Sequence, residues 1–441
     1  MTSLRSSAIT DLEGTLRVPG DKSISHRALM LGAMAIGESR IRGLLESDDV
    51  MATARALGAM GVAIGREEDG TWRVSGVGVG GLSSPDDVLD CGNSGTTTRL
   101  LMGLLASQPV RAVLSGDASL RRRPMGRVIA PLGAIGALIE AREGGRLPLL
   151  LRGADTPLPI DYRLPVASAQ VKSAVLFAGL NTPGTTTVRE PVPSRDHSER
   201  MLAAMGAAIA VDEEAGERVI RLTGEAELAP LDLEVPGDIS SAAFPIVAAL
   251  LAPAGRLRIE NVGVNPLRTG LLDALAAMGA GIAIENRREA GGEPVADLEI
   301  TAGQGLRGTD FDPALAPRMI DEYPVLFVAA ACAEGRSRFT GLSELRVKES
   351  DRLAAMAAVL TAAGVPVEER PDGLVIEGVG GPVPGGARIA TRLDHRIAMA
   401  ALVLGGRARA PVEIDDAAPI TTSFPGFVAL MNGLGARISE V

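Results

Sequence analysis

The chain has 441 residues, 46% of them hydrophobic but only 2% aromatic, and a formal net charge of −10. That length suggests two domains with aliphatic, Ala-rich cores, and 53 Gly with 28 Pro are too many for a helical bundle. The acidic balance disfavours a duplex nucleic-acid partner, yet leaves room for a small anionic substrate held by a few local cations.

Cys91 and Cys332 lie far apart and read as reduced thiols of a cytoplasmic protein, not as metal ligands. The first residues, MTSLRSSAITDLEG, contain no apolar signal core. Apolar stretches such as VLFVAAACA (325–333) are too short to cross a membrane.

In chain order, PGDKSISHRAL (19–29) is predicted to run from a turn into a helix whose start carries Lys22, Ser23 and Arg27. Free N–H groups and the dipole at such a start favour anions, and these side chains add charge and hydrogen bonds. A plain N-cap with a solvated face is the ordinary alternative. Only three lysines, Lys22, Lys172 and Lys348, stand among the 44 Lys and Arg residues. Each is therefore a candidate for a compact charge with a movable pKa, which Arg does not supply.

CGNSGTTTRL (91–100) combines small residues, which allow close backbone approach, with the charge of Arg99. No Gly-Lys dipeptide occurs in the chain, so this is not a Walker A loop. In SGDASLRRRPMGR (115–127) the arginine run reads as a solvated surface, apart from Arg123, which Pro124 restricts. PVASAQVKSA (165–174) offers Ser168 and Gln170 as uncharged donors beside Lys172, which also fits a structural role. VPSRDHSER (192–200) places Ser194 and Arg195 at another helix start.

Further on, MIDEYPVL (319–326) sets Asp321 at the entry of an apolar helix, as a partly desolvated carboxylate. In ELRVKESDRL (344–353), Lys348, Glu349 and Arg352 follow one another at a helix start. Lys348 and Arg352 are expected on one face, as i and i+4. TRLDHRIAM (391–399) adds Arg396. The three histidines, His26, His197 and His395, each lie beside Arg or Asp. Together these segments supply cations for two anionic substrates and carboxylates for proton transfer. No metal spacing and no dinucleotide fingerprint competes, so neither a metal nor a cofactor is expected.

Between these motifs one pattern recurs six times: an apolar helix, a glycine, then a short alternating strand. The glycines are Gly61, Gly136, Gly206, Gly279, Gly364 and Gly435, with successive gaps of 75, 70, 73, 85 and 71 residues. Each fits a left-handed helix C-cap. VPGDKS (18–23) and VPGDIS (235–240) differ at one position and lie 217 residues apart. The pairing predicts two domains of three units each. One is discontinuous, formed by residues 1–20 with 236–441; the other is 21–235.

The motifs PGDKSISHR, GNSGTTTR, RPMGR, SAQVKSA, RVKESDRL and LDHRIAM, in this order, resemble those of the 5-enolpyruvylshikimate-3-phosphate synthases, which belong to the enolpyruvyl transferases. The likeness runs nearly end to end. It implies an α/β fold of two domains, each with three βαβαββ repeats, and an active site in the cleft between them. It also implies the reaction: the 5-hydroxyl of shikimate 3-phosphate attacks C2 of phosphoenolpyruvate, C3 gains a proton, and phosphate leaves. By the same resemblance Lys22, Ser23, Arg27, Ser168, Ala169, Gln170, Ser194, Arg195, Asp321 and Lys348 hold shikimate 3-phosphate. Lys22, Gly95, Arg123, Gln170, Arg352 and Arg396 hold phosphoenolpyruvate. Asp321 takes the 5-hydroxyl proton, Glu349 handles the proton at C3, and Lys22 and Lys348 complete the catalytic set.

Leu100, Ala169, Glu344 and Thr422 depart from the commonest pattern, where Pro, Ser, Asn and Lys stand, and look like the branch that includes glyphosate-tolerant members. Tolerance there is linked to Ala at the position of Gly95, so glyphosate is expected to inhibit this chain. A monomer is expected, with no nucleic-acid or membrane partner. The nearest rival is the sister transferase acting on UDP-N-acetylglucosamine, many of whose members use a loop Cys absent from SGDASLRRRPM here. The other is a non-catalytic phosphate-binding repeat protein, which would not need Asp321, Lys348 and Glu349 together.

Overall fold

A computed structural model describes residues 2–441. The chain forms two compact units. One takes the chain up to Pro19 with Pro236–Arg288 and Pro294–Val441; the other takes Gly20–Val235 with Glu289–Glu293.

All six marker glycines have positive φ, between 83° at Gly364 and 117° at Gly136, a region that costs a side chain and suits glycine. Each closes its helix in the same way. The N–H after the glycine reaches back to a carbonyl five residues earlier: Val62 to Leu57, Ala137 to Leu132, Ala207 to Leu202, Ala280 to Leu275, Val365 to Leu360 and Ala436 to Met431. This is the Schellman closure, which satisfies helix carbonyls that would otherwise lack a donor. The strands Ala63–Arg66, Leu138–Arg142, Ile209–Glu214, Ile282–Ala290, Val367–Arg370 and Arg437–Glu440 begin within a few residues of it.

In the unit built on Gly20–Val235, three sheets share one order. A short strand runs parallel to a central strand, which pairs antiparallel with the second arm of a hairpin, whose first arm forms the edge. The strands are Asp232–Glu234, Ile36–Arg42, Trp72–Val77 and Ala63–Arg66 in one sheet. Leu89–Asp90, Arg111–Ser115, Arg146–Arg152 and Leu138–Arg142 make the next. Asp161–Arg163, Thr185–Glu190, Glu217–Thr223 and Ile209–Glu214 make the third.

The other unit repeats the plan. Its sheet Gly14–Leu16, Arg256–Gly263, Glu293–Thr301 and Ile282–Ala290 keeps the order. In the sheet of Glu334–Phe339, Gly373–Val379 and Val367–Arg370 the parallel strand shrinks to two bridges, Arg307 to Glu334 and Asp310 to Arg338. In the last, Arg388–Ile389, Val412–Ile414, Leu4–Ser7 and Arg437–Glu440, the second hairpin arm comes from the start of the chain.

Each repeat also has one helix buried all round. These are Lys22–Met34, Gly95–Ala106 and Ala169–Leu180 in one unit, and Ile239–Leu251, Tyr323–Cys332 and His395–Gly405 in the other. Such helices carry little amphipathic pattern because every face meets apolar neighbours. Gly95–Ala106 lies so close to Ala169–Leu180 that a Cβ on Gly103 would stand 2.4 Å from the Ala174 carbonyl oxygen. The polar residues of these segments gather at the helix starts, where Asp21, Ser94, Ser168, Asp238 and Asp394 each accept a backbone N–H as N-caps.

Candidate functional site

Within the Gly20–Val235 unit, three helix starts come together. Lys22 forms an ion pair with Asp49, whose backbone carbonyl accepts from the Thr97 hydroxyl at 3.2 Å. Ser94 caps the helix that begins at Gly95. Arg123 donates to the Asn93 side chain at 2.6 Å and to its carbonyl at 3.2 Å, which fastens the RPMGR loop to the GNSG turn. Gln170 is held on both ends of its amide: Oε1 accepts from Arg99 at 2.7 Å and Nε2 donates to Thr96 at 3.0 Å. Gln170 keeps one N–H and one oxygen lone pair for anything that binds beside it. A Cβ on Gly95 would stand 2.8 Å from Arg99 Nη1 and 3.6 Å from Arg123 Nη1.

Ser168 accepts from the Val171 N–H, so its own hydroxyl proton remains available, and Ala169 begins the helix. Ser194 and Arg195 precede the helix His197–Ala204. Arg27 is buried and bonded to the protein itself, donating to Ser198 at 2.8 Å, to the Ser23 carbonyl at 2.9 Å and to Ser173 at 2.7 Å. Burial pulls its pKa down to about 10, against the opposing charges of Glu199 and Asp21; it stays protonated at neutral pH.

In the other unit the charged residues converge on one guanidinium. Arg352 is fully buried. Its Nε donates to Asp394 Oδ2 at 2.9 Å, Nη1 to Asp321 Oδ1 at 3.3 Å, and Nη2 lies 2.6 Å from Glu349 Oε2. Burial works to discharge Arg352, but Asp394, Glu349 and Asp321 outweigh it and raise its pKa. Burial likewise works to raise the Asp394 carboxyl, and Arg352 holds it below its ordinary value nonetheless. Arg396 donates to the Asp321 carbonyl at 2.9 Å, and Ser350 donates to Asp394 at 2.9 Å. Lys348 pairs with Glu344 at 3.0 Å.

One expectation fails here. Lys348 and Arg352 do not share a helical face. Asp351 caps the helix by accepting from the Ala354 N–H, so the helix runs Arg352–Ala362. Lys348 instead ends the short 3₁₀ turn Ser343–Val347 in an extended conformation. Two residues were missed as candidates. Asp394 is fully buried against Arg352, and its place as N-cap immediately before His395 was the available signal. The sequence shows Arg99 only as a charge, while the structure has it fixing Gln170.

A sequence profile of the family described as EPSP synthase (3-phosphoshikimate 1-carboxyvinyltransferase) matches residues 6–431. The chain belongs to that family. A 3-phosphoshikimate 1-carboxyvinyltransferase of Novosphingobium aromaticivorans is 61% identical over 95% of this chain and 96% of the relative. That of Acidiphilium cryptum is 60% identical over 97% and 96%. Among solved structures, EPSP synthase from Acinetobacter baumannii aligns with a TM-score of 0.88 and 43% identity, over all of both chains.

Among the described residues no helix is long and apolar enough to cross a membrane.

Proposed function

We propose that this chain transfers the enolpyruvyl group of phosphoenolpyruvate to the 5-hydroxyl of shikimate 3-phosphate and releases phosphate. The observation that carries the reading is the buried Arg352, which bears Asp321 and Glu349 at its edges with Arg396 alongside. The guanidiniums of Arg352 and Arg396 offer charged donors to an anionic substrate, and Asp321 and Glu349 beside them can pass protons. In this reading Asp321 accepts the 5-hydroxyl proton as the oxygen attacks C2, and Glu349 delivers the proton to C3. Arg352 and Arg396 take the carboxylate and phosphate of phosphoenolpyruvate, with Lys22, Gly95, Arg123 and Gln170. Lys348 leaves Glu344 for the reacting oxygen. Shikimate 3-phosphate takes Lys22, Ser23, Ser168, Gln170, Ser194 and Arg195, and the backbone at Ala169; Arg27 supports Ser23 and lends charge.

These residues come from both compact units, and the reading requires both to act on one pair of substrates. All belong to one chain, so a cytoplasmic monomer suffices. Glyphosate is proposed to inhibit in competition with phosphoenolpyruvate, since Gly95 leaves the space beside Arg99 open. Purified protein is expected to release phosphate only when both substrates are present. Asp321→Asn and Lys348→Met are each expected to lower kcat by about 10²- to 10⁴-fold. Intact turnover in either variant would sink the roles assigned here, and indifference to glyphosate would sink the inhibitor assignment.

A further inference from the structure

The loop carrying Ser194 rests on a buried charge cluster that the reaction as described does not use. Lys172 is fully buried and lies 2.9 Å from Glu190 and 2.8 Å from Glu199, both also buried. Its ammonium donates to the Ser194 backbone carbonyl at 3.2 Å. The Ser194 hydroxyl in turn donates to the other oxygen of Glu190. Two buried carboxylates thus share one buried ammonium, and one of them also holds the hydroxyl assigned to the substrate phosphate.

A serine hydroxyl has one proton. While Ser194 gives it to Glu190, none is left for a phosphate oxygen. Turning the hydroxyl to phosphate would strip a buried carboxylate of a donor and bring a dianion close to it, and both changes favour the protonated acid. Burial already pushes the Glu190 carboxyl above its ordinary value, against the pull of Lys172 and Ser194, and Glu199 adds to that push. The charged groups around it are Lys172 from the helix Ala169–Leu180, Glu199 from the helix His197–Ala204, and Arg218, its partner across the sheet, whose side chain pairs with Asp196.

We infer that Glu190 is a proton-coupled positioning residue: binding of the substrate phosphate at Ser194 draws one proton from solvent onto the Glu190 carboxylate. The protonated Glu190 then donates to the Ser194 oxygen, and the Ser194 hydroxyl donates to the phosphate. Nothing else changes hands, so the sum is protein, phosphate ester and one proton giving the complex. Lys172 stays paired with Glu199 and keeps the loop in place by its bond to the Ser194 carbonyl. The inference rests on the reading that the phosphate of shikimate 3-phosphate docks at Ser194.

Calorimetric titration with shikimate 3-phosphate alone, in buffers of different ionisation enthalpy, measures the protons taken up. Between roughly pH 6.5 and 8.5, above the ester's own second ionisation, uptake approaching one proton per ligand is expected. The KM for shikimate 3-phosphate should climb by up to about tenfold per pH unit in that range, with kcat following its own profile. Glu190→Gln keeps an amide donor for Ser194 and should bind with no more uptake than the ligand's own ionisation gives, on a flat KM profile. If that variant does not fold, Ser194→Ala, which leaves Glu190 paired with Lys172 but without its serine donor in either state, should bind more weakly and with less uptake than the parent. Binding by the parent protein without uptake, or equal uptake in the parent and Glu190→Gln, overturns the inference and leaves the reading of the site standing. No binding of shikimate 3-phosphate by the parent protein overturns both.

Discussion

Arg352 is out of reach of bulk solvent, so its three carboxylates decide its cost. A buried ion pair adds little over an apolar replacement, but removing one partner leaves a charge stranded. Asp394 contacts two of its nitrogens, at 2.9 and 3.3 Å. Asp394→Asn is therefore expected to destabilise the protein by about 3 kcal/mol, read as the shift of the urea unfolding midpoint. The sign with pH follows from its depressed carboxyl. Its contribution is fully present above the unfolded carboxylate's pKa of about 4 and is lost as pH falls through the lower folded value. The acid limb of a stability profile should consequently flatten in the variant; an unchanged limb would assign the acid sensitivity elsewhere. Individual motif residues were readable because rarity marks them, as with three lysines in a chain of arginines. Their partners were not. Glu190 lies 18 residues from Lys172, and Asp394 lies 42 from Arg352. Only the folded chain brings such pairs together.

At the scale of elements, the six glycine closures test backbone geometry apart from packing. Gly206 has φ of 88° and no heavy atom within 4 Å of where a Cβ would sit. Gly206→Ala should cost about 1–2 kcal/mol through the left-handed conformation alone, with kcat and KM unchanged. Gly103→Ala, by contrast, should be harmful through a clash with Ala174. A silent Gly206→Ala would mean that the turn can relax to another closure. The helix–glycine–strand rhythm was legible because local chemistry fixes it: the cap needs glycine, and the strand needs alternation. The start of the helix Arg352–Ala362 differs from the expected one for an equally local reason. Ser350 and Asp351 stand ahead of it, and Asp351 is a capping residue, so Lys348 falls outside the helix. The short parallel strands, such as Leu89–Asp90 and Arg388–Ile389, are two residues long and leave no periodicity to read.

For the whole molecule, the proposed reaction draws Lys22 and Gln170 from one unit and Asp321, Lys348 and Arg352 from the other. Small-angle scattering should accordingly show a smaller radius of gyration with shikimate 3-phosphate and glyphosate together than with neither. An unchanged radius would count against joint action of the units. The compact units change over at Pro19/Gly20 and at Val235/Pro236, and Glu289–Glu293 groups with the unit formed by Gly20–Val235. Five residues at a hairpin tip carry no mark of the neighbours they pack against. The borrowed strand Leu4–Ser7 has a further consequence, for synthesis. It lies between Val412–Ile414 and Arg437–Glu440, with Leu4 opposite Glu440. During translation the three sheets of Gly20–Val235 have all their strands well before the ribosome reaches the last of these partners. Leu4–Ser7 is made before both of its partners and stays unpaired until they emerge, so its edge is open to wrong pairing over that interval.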